Sequence, residues 1–374
     1  MGMPKTGSSA IQVMLRLNRL VLEAQGFRYN RSFGDRVHPL LRPRILHELT
    51  DAAARERYGH LLVKHPGFDA ESAAKLDADL ESEISTHSPK TMVLSFEGLW
   101  ELTTTDAGAA TMIDYFRARF DRVRYVVYLR RQDRHATSAY GQRVQNGKVE
   151  HFENVLVEDE GIEKYRYHTN LERLAARVGR SSIMVRCFER EQLQGGDAGR
   201  DFVHALGLEL VGLRFPQSVV NPSWDNASIA LALQLSRHMP LTENGRPSPS
   251  YVVLWKALAA LDQNGSMPRV SRQRAQAYVD QFATENAAVA RDYLDRDDGV
   301  LFREPIDGPD EDIPPSIEVD RCAEIMAVVL QNAAKDEAGP RDARIAFLEG
   351  HIEKLRARIE TLRSALDHAR GDTV

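Results

Sequence analysis

Short apolar runs alternate with longer amphipathic stretches along the first half of the chain. Residues 10–22 are apolar at helical spacing, and residues 68–86 are rich in Ala, Leu and Glu without Gly or Pro, which predicts a helix with a charged outer face. Three compact apolar runs, 91–96, 124–129 and 182–186, read as strands. Helical patterns at 106–120, 130–144, 163–178 and 197–206 lie between and after them. Strands separated by helices of this length predict βαβ units, hence an α/β fold with a mainly parallel sheet flanked by helices. Residues 26–43, rich in Arg, Gly and Pro, read as a loop, and His38 within it as a solvated side chain. From residue 226 the pattern is mostly helical, at about 226–238, 250–262 and 271–294.

The C-terminal end has a different period. Residues 303–316 combine prolines with acids and read as a linker, and 317–334 as a further helix. Ile345, Leu348, Ile352, Leu355, Ile359, Leu362 and Leu366 then alternate by three and four. Isoleucine at a and leucine at d favours a two-stranded parallel coiled coil. Arg358 at g would face Arg363 at e of such a partner, which opposes it. Residues 345–366 are therefore read as a surface for self-association, for folding back, or for a partner helix. The expected organisation is an α/β domain over 1–302, a linker and helix over 303–340 and a coiled coil over 341–370.

Charge and composition narrow the function classes. With 49 basic and 54 acidic side chains the net charge is −5, so no broad basic field is implied and nucleic acid is not an expected partner. Cys187 and Cys322 are the only cysteines, without metal-ligand spacing or a disulfide framework, which fits a reducing cytoplasm. No apolar run approaches the roughly 18 residues of a membrane span. No signal peptide is visible, and a cytoplasmic location is expected.

The candidate chemistry begins at Pro4-Lys5-Thr6-Gly7-Ser8-Ser9, a turn that runs directly into the first helical stretch. Gly7 can take positive φ and let backbone approach a ligand. Ser9 with Gln12 fits a capping box. Unsatisfied N–H groups and the positive end of the helix dipole would converge on this turn, and Lys5 adds a full charge, so the stretch reads as a phosphate cradle. It is not a Walker A loop: Ser8-Ser9 stands where Gly-Lys-Ser/Thr is needed. Only residues 1–3 precede the turn where a buried strand is expected, so the first strand is expected to be truncated. A second anion site is suggested by Arg130 at the tip of the strand over 124–129, with Ser138 eight residues on. A guanidinium fork and a hydroxyl suit a phosphate. Arg131 is the alternative if the register slips by one. Glu97, beside Gly98 after the strand over 91–96, is a candidate general base.

These stretches together resemble the sulfotransferases that use 3′-phosphoadenosine 5′-phosphosulfate (PAPS). The turn at 4–9 is similar to their 5′-phosphosulfate loop, and the strand–Arg130–x7–Ser138–x–Tyr140 pattern to their 3′-phosphate motif. Ser95-Phe96-Glu97 is similar to the Ser-x-Glu stretch of the carbohydrate branch, and more loosely the chain resembles bacterial glycan sulfotransferases as far as residue 302. The resemblance implies a P-loop-like three-layer fold and sulfuryl transfer from PAPS to a hydroxyl of a glycan or other sugar-containing acceptor. It implies Glu97 as general base and Lys5 as stabiliser of the leaving group. Lys5, Thr6, Gly7, Ser8, Ser9, Arg130 and Ser138 would hold the nucleotide, and no metal is required. Two alternatives stand beside it: a P-loop nucleotide kinase, and a non-catalytic protein that keeps the fold as a scaffold assembled through its tail.

Overall fold

A computed structural model describes residues 1–62, 65, 67–157, 161–216, 224–243, 246–261 and 266–331. The chain divides into two compact units. In chain order the elements are α1 (Ser8–Leu17), α2 (Arg19–Ala24), β1 (Phe27–Tyr29), α3 (Leu41–His47), α4 (Ala52–Leu62), α5 (Ala70–His87), β2 (Thr91–Val93), α6 (Asp106–Arg117), β3 (Tyr125–Leu129), α7 (Gln132–Gln145), α8 (Tyr167–Val178), β4 (Ile183–Cys187), α9 (Ala198–Ala205), α10 (Asn226–Leu235), β5 (Thr242–Glu243), β6 (Arg246–Pro247), α11 (Pro249–Ala260), α12 (Arg272–Asp280) and α13 (Ala283–Leu294). A 3₁₀ segment, Glu97–Thr104, follows β2 closely.

The first unit comprises Met1–Gln142, Glu150–Ser223 and Pro268–Pro314. Its centre is β3, Tyr-Val-Val-Tyr-Leu, where β-branched and aromatic residues suit a pleated surface and all five are buried. β3 pairs in parallel with β4, from Tyr125 opposite Ile183 to Leu129 opposite Cys187. Residues 1–3 run parallel along the opposite edge: the Met1 amino group donates to Val126 O at 2.9 Å and Met3 N to Tyr128 O at 3.0 Å. Leu129 O instead receives Phe188 N at 2.7 Å, as expected when successive carbonyls point to opposite sides. Gly2 sits so close to β3 that a Cβ there would meet Tyr128 N and O at 2.9 Å. The three residues before the turn thus occupy a strand position beside β3.

Alternate residues of β3 feed two different cores. Tyr125, Val127 and Leu129 pack with Trp100, Met112, Ile113, Leu171 and Leu174 from the 3₁₀ segment, α6 and α8. Val126 and Tyr128 pack with Ile11, Met14 and Leu15 of α1 and with Phe202 and Val203 of α9. A parallel sheet with helices on both faces is the α/β arrangement in which such a strand is apolar throughout. β1 and β2 form a second parallel pair, Phe27 opposite Thr91 and Tyr29 opposite Val93.

The stretch over 26–43 departs from its reading as a loop, since it contains β1 and the start of α3. Three residues with an arginine at the centre carry too little periodicity to show as a strand. Arg28 is buried because the α5 residue Glu83 lies beneath it. Glu83 accepts Arg28 Nε at 2.8 Å, Asn30 Nδ2 at 2.8 Å, Ser32 Oγ at 2.7 Å and the Arg31 and Ser32 N–H groups at 3.0 and 3.1 Å. Burial alone would raise its pKa, but the Arg31, Ser32 and Arg28 bonds outweigh that and hold the carboxyl below its ordinary value. This carboxylate fixes the chain that carries His38.

The proline-rich stretch after residue 302 is tied to the same unit by Arg269 N to Ile313 O at 3.0 Å and by Ile313 N to Arg269 O at 2.7 Å. The second unit comprises Arg143–Val149, Trp224–Met267 and Pro315–Val374. Within it β5 and β6 are antiparallel, and Tyr251 of α11 donates to Val144 O at 2.5 Å and meets Trp224 edge-on. The chain is helical over 319–331, and the heptads at 345–366 lie outside the described residues. Among the described residues no helix is long and apolar enough to cross a membrane.

Candidate functional site

The turn after residues 1–3 bends sharply because two of its residues are left-handed, Lys5 at φ 62° and Gly7 at φ 73°. Such a conformation costs a lysine about 1–3 kcal/mol and persists only where its surroundings impose it. Two bonds do so: Arg130 Nη1 donates to Lys5 O at 2.7 Å, and Thr6 Oγ1 to Met3 O at 2.6 Å. Gly7 is required twice over, since its φ is positive and a Cβ would sit 2.7 Å from both Ala198 Cβ and Phe188 Cε2. Gly7→Ala is therefore expected to lower the unfolding free energy by at least about 1–3 kcal/mol. Urea denaturation would measure it, and an unchanged midpoint would show that the turn does not have this geometry.

Gly7 is the N-cap of α1, with no side-chain cap bond. The capping box expected from Ser9 and Gln12 is not formed. A left-handed glycine starts the helix two residues earlier, which turns Gln12 inward; it is 3 % exposed, and its Nε2 reaches Ser95 Oγ at 3.3 Å and Ser95 O at 3.4 Å. The first helical N–H groups, of Ser8, Ser9 and Ala10, donate to no backbone carbonyl among the described residues. They are the orphan donors of a helix start, at its positive end.

Side chains converge on the same place. Glu97 opens the 3₁₀ segment after β2 and accepts Ser8 Oγ at 2.7 Å on Oε2. Burial pushes the Lys5 ammonium below its ordinary pKa; Glu97 partly opposes this, and Arg130 adds to it. Burial likewise lowers Arg130, whose guanidinium lies over the Phe188 ring at 5.6 Å. Among the described residues neither cation forms an ion pair within 4.0 Å. Two desolvated positive charges thus lie beside a helix start and one nearby carboxylate, an arrangement that an added anion would relieve.

The structure brings together Lys5, Gly7, Ser8, Glu97 and Arg130. Thr6 is 2 % exposed with its hydroxyl spent on Met3 O, so what it can offer an anion is its backbone N–H. Ser9 is half-buried in the first turn of α1. Ser138 lies half-buried on α7, and no side-chain hydrogen bond joins it to Arg130 or to the turn. Arg131 is not free to replace Arg130. It is 3 % exposed, bidentate to Asp133 at 2.8 and 3.0 Å, and bound to Glu304 O at 2.6 Å.

Three participants were not evident from sequence. Phe188, just past β4, forms the floor under Gly7 and Arg130. Tyr167 donates to Arg130 O at 2.5 Å and fixes the strand end. His38, expected to be solvated, is fully buried: its Nδ1 accepts Ser95 N at 3.0 Å and its Nε2 lies 2.9 Å from Asn30 O. Elsewhere in this unit His168, Glu172 and Asp292 bring their ligand atoms within 4.8 Å of one another. Arg180 already bridges that cluster, to Glu172 at 3.0 Å and Asp292 at 3.1 Å.

Comparison with known proteins adds little to this geometry. An uncharacterized protein of Archaeoglobus fulgidus is 26% identical over 178 residues, which is 45% of this chain. The match spans 45% of that protein's own length. No family model matches the chain, and no solved structure matches it.

Proposed function

We propose that the protein is a PAPS-dependent sulfotransferase with a P-loop-like α/β fold, acting on a hydroxyl of a glycan or other sugar-containing acceptor. The observation that carries this reading is the pair of half-buried cations, Lys5 and Arg130, which form no ion pair among the described residues and are set against the open start of α1, with Glu97 in contact with that same turn. The N–H groups of 6–10 and Lys5 would hold the phosphosulfate end of the nucleotide, and Arg130 with Ser138 its 3′-phosphate. What supports a nucleotide carrying two anionic groups is that Arg130 Nη1 donates to Lys5 O at 2.7 Å, so the arginine and the turn lie side by side.

Glu97 takes the proton of the acceptor hydroxyl as that oxygen forms its bond to sulfur. The bond from sulfur to the bridging oxygen breaks, and its electron pair stays on the phosphate. Lys5 neutralises the charge that builds there, a preorganised electrostatic contribution in a site where water is partly excluded. Ser8, which holds Glu97 in the free protein, can turn to the nucleotide when it arrives.

Calorimetry tests the reading. Adenosine 3′,5′-bisphosphate is expected to bind more tightly than ATP by about 10–100-fold, the worth of one charged fork on the 3′-phosphate. Equal affinity for the two, or preference for ATP, overturns the reading in favour of an ordinary nucleotide site. Transfer of labelled sulfate from PAPS to a panel of glycans then identifies the acceptor class.

A further inference from the structure

β2 stops at Val93, where Asn30 N still pairs with Val93 O at 3.1 Å, but the chain must continue in an ordered way to deliver Glu97. The next inward backbone donor, Ser95 N–H, has no strand beside it. It donates instead to His38 Nδ1 at 3.0 Å. Because Nδ1 accepts, the ring proton is on Nε2, which donates to Asn30 O at 2.9 Å. Asn30 is itself fully buried and fastened to Glu83 at 2.8 Å. An imidazole ring therefore replaces the missing strand neighbour for one residue, two positions before the carboxylate. Gln12 holds the same residue from the α1 side through its 3.3 Å bond to Ser95 Oγ.

We propose that His38 is a positioning residue for the transfer reaction, which sets Glu97 against the Lys5–Ser8 turn by receiving the Ser95 N–H. The proposal rests on Glu97 acting as the base. Its support is that His38 is neutral, fully buried and bonded at both ring nitrogens, so its geometry is fixed. Burial pushes its pKa down to about 4, and the Asn30 carbonyl and Glu83 only partly oppose this. The ring also stacks at a tilt on Tyr29 at 4.7 Å, so some loss of packing is common to every substitution here.

Two substitutions divide the ring's functions. Asparagine places its Oδ1 where the ring has Nδ1 and keeps the acceptor for Ser95; glutamine places its Nε2 where the ring has Nε2 and keeps only the donor to Asn30. His38→Asn is expected to retain kcat. His38→Gln is expected to lose between about tenfold and 10²-fold in kcat, the cost of misplacing a catalytic group by about 1 Å. Affinity for adenosine 3′,5′-bisphosphate should be unchanged in both. Hydrogen exchange at the Ser95 amide is the readout independent of activity, protected in wild type and His38→Asn and accelerated in His38→Gln. Gln12→Leu, which loosens Ser95 from the other side, should lower kcat in the same direction and serves if His38→Gln does not fold. Equal kcat losses in the two histidine variants, or a released Ser95 amide with kcat intact, overturn the positioning role and leave the sulfotransferase reading standing. A wild-type protein that neither binds the bisphosphate nor transfers sulfate overturns both.

Discussion

Glu97→Gln is expected to lower sulfate transfer by roughly 10²–10⁴-fold, the usual worth of a positioned general base. The glutamine is nearly isosteric, and its Oε1 can still accept the Ser8 hydroxyl that Glu97 Oε2 now holds at 2.7 Å. The turn should therefore keep its shape. Nucleotide affinity is expected to hold or to tighten, because the substitution removes the one carboxylate that supports the Lys5 charge in the absence of an anion. Calorimetry with adenosine 3′,5′-bisphosphate alongside single-turnover transfer separates the two quantities. Turnover that survives, or turnover and affinity that fall together, would show that Glu97 shapes the turn without taking the proton. A scaffold protein that retains the nucleotide site would show the affinity without any turnover in the wild type.

How much of this was legible along the chain depends on the range of the interactions. β3 is legible because its run of β-branched and aromatic side chains needs no outside information, and β4 because Ile183, Val185 and Cys187 alternate with positions that are less buried. The parallel pairing follows from the helices between them. Lys5, Glu97 and Arg130 could be nominated because each stands at an abrupt change from apolar run to polar turn. β1 was hidden because its central arginine is polar by type and is buried between Glu23 and Glu83, the second more than fifty residues later. His38 reads as solvated for a related reason: Asn30 is only eight residues away, but the Ser95 N–H that completes its burial is 57 residues further along the chain. The capping box failed differently. Ser9 and Gln12 have the right spacing, but the cap is settled by the left-handed Gly7, whose conformation depends on the close approach of Phe188 and Ala198. Local spacing proposes; contacts made far along the chain decide.

The same contrast gives the second large effect, at two neighbouring arginines that composition cannot tell apart. Arg130→Ala is expected to weaken binding of adenosine 3′,5′-bisphosphate by about 10–100-fold, since it removes a charged donor pair from the anion. Its effect on the unfolding midpoint should be small, because its one side-chain hydrogen bond among the described residues is to Lys5 O, and the Tyr167 bond to the Arg130 carbonyl is kept. Arg131→Ala should do the reverse. Arg131 neutralises Asp133, which is 5 % exposed, through bonds of 2.8 and 3.0 Å, and it ties down Glu304 O and Pro305 O as well. Removing it strands a buried carboxylate, and stability should fall by about 3–5 kcal/mol, with nucleotide affinity preserved in the protein that remains folded. Urea denaturation and calorimetry on both variants measure the two effects independently. If the phenotypes exchange, the phosphate fork is Arg131 and the strand ends one residue later than the β3–β4 register allows. If both variants lose only stability, no anion binds at this end of the sheet, and Lys5 is left as a half-buried cation without a nucleotide to hold.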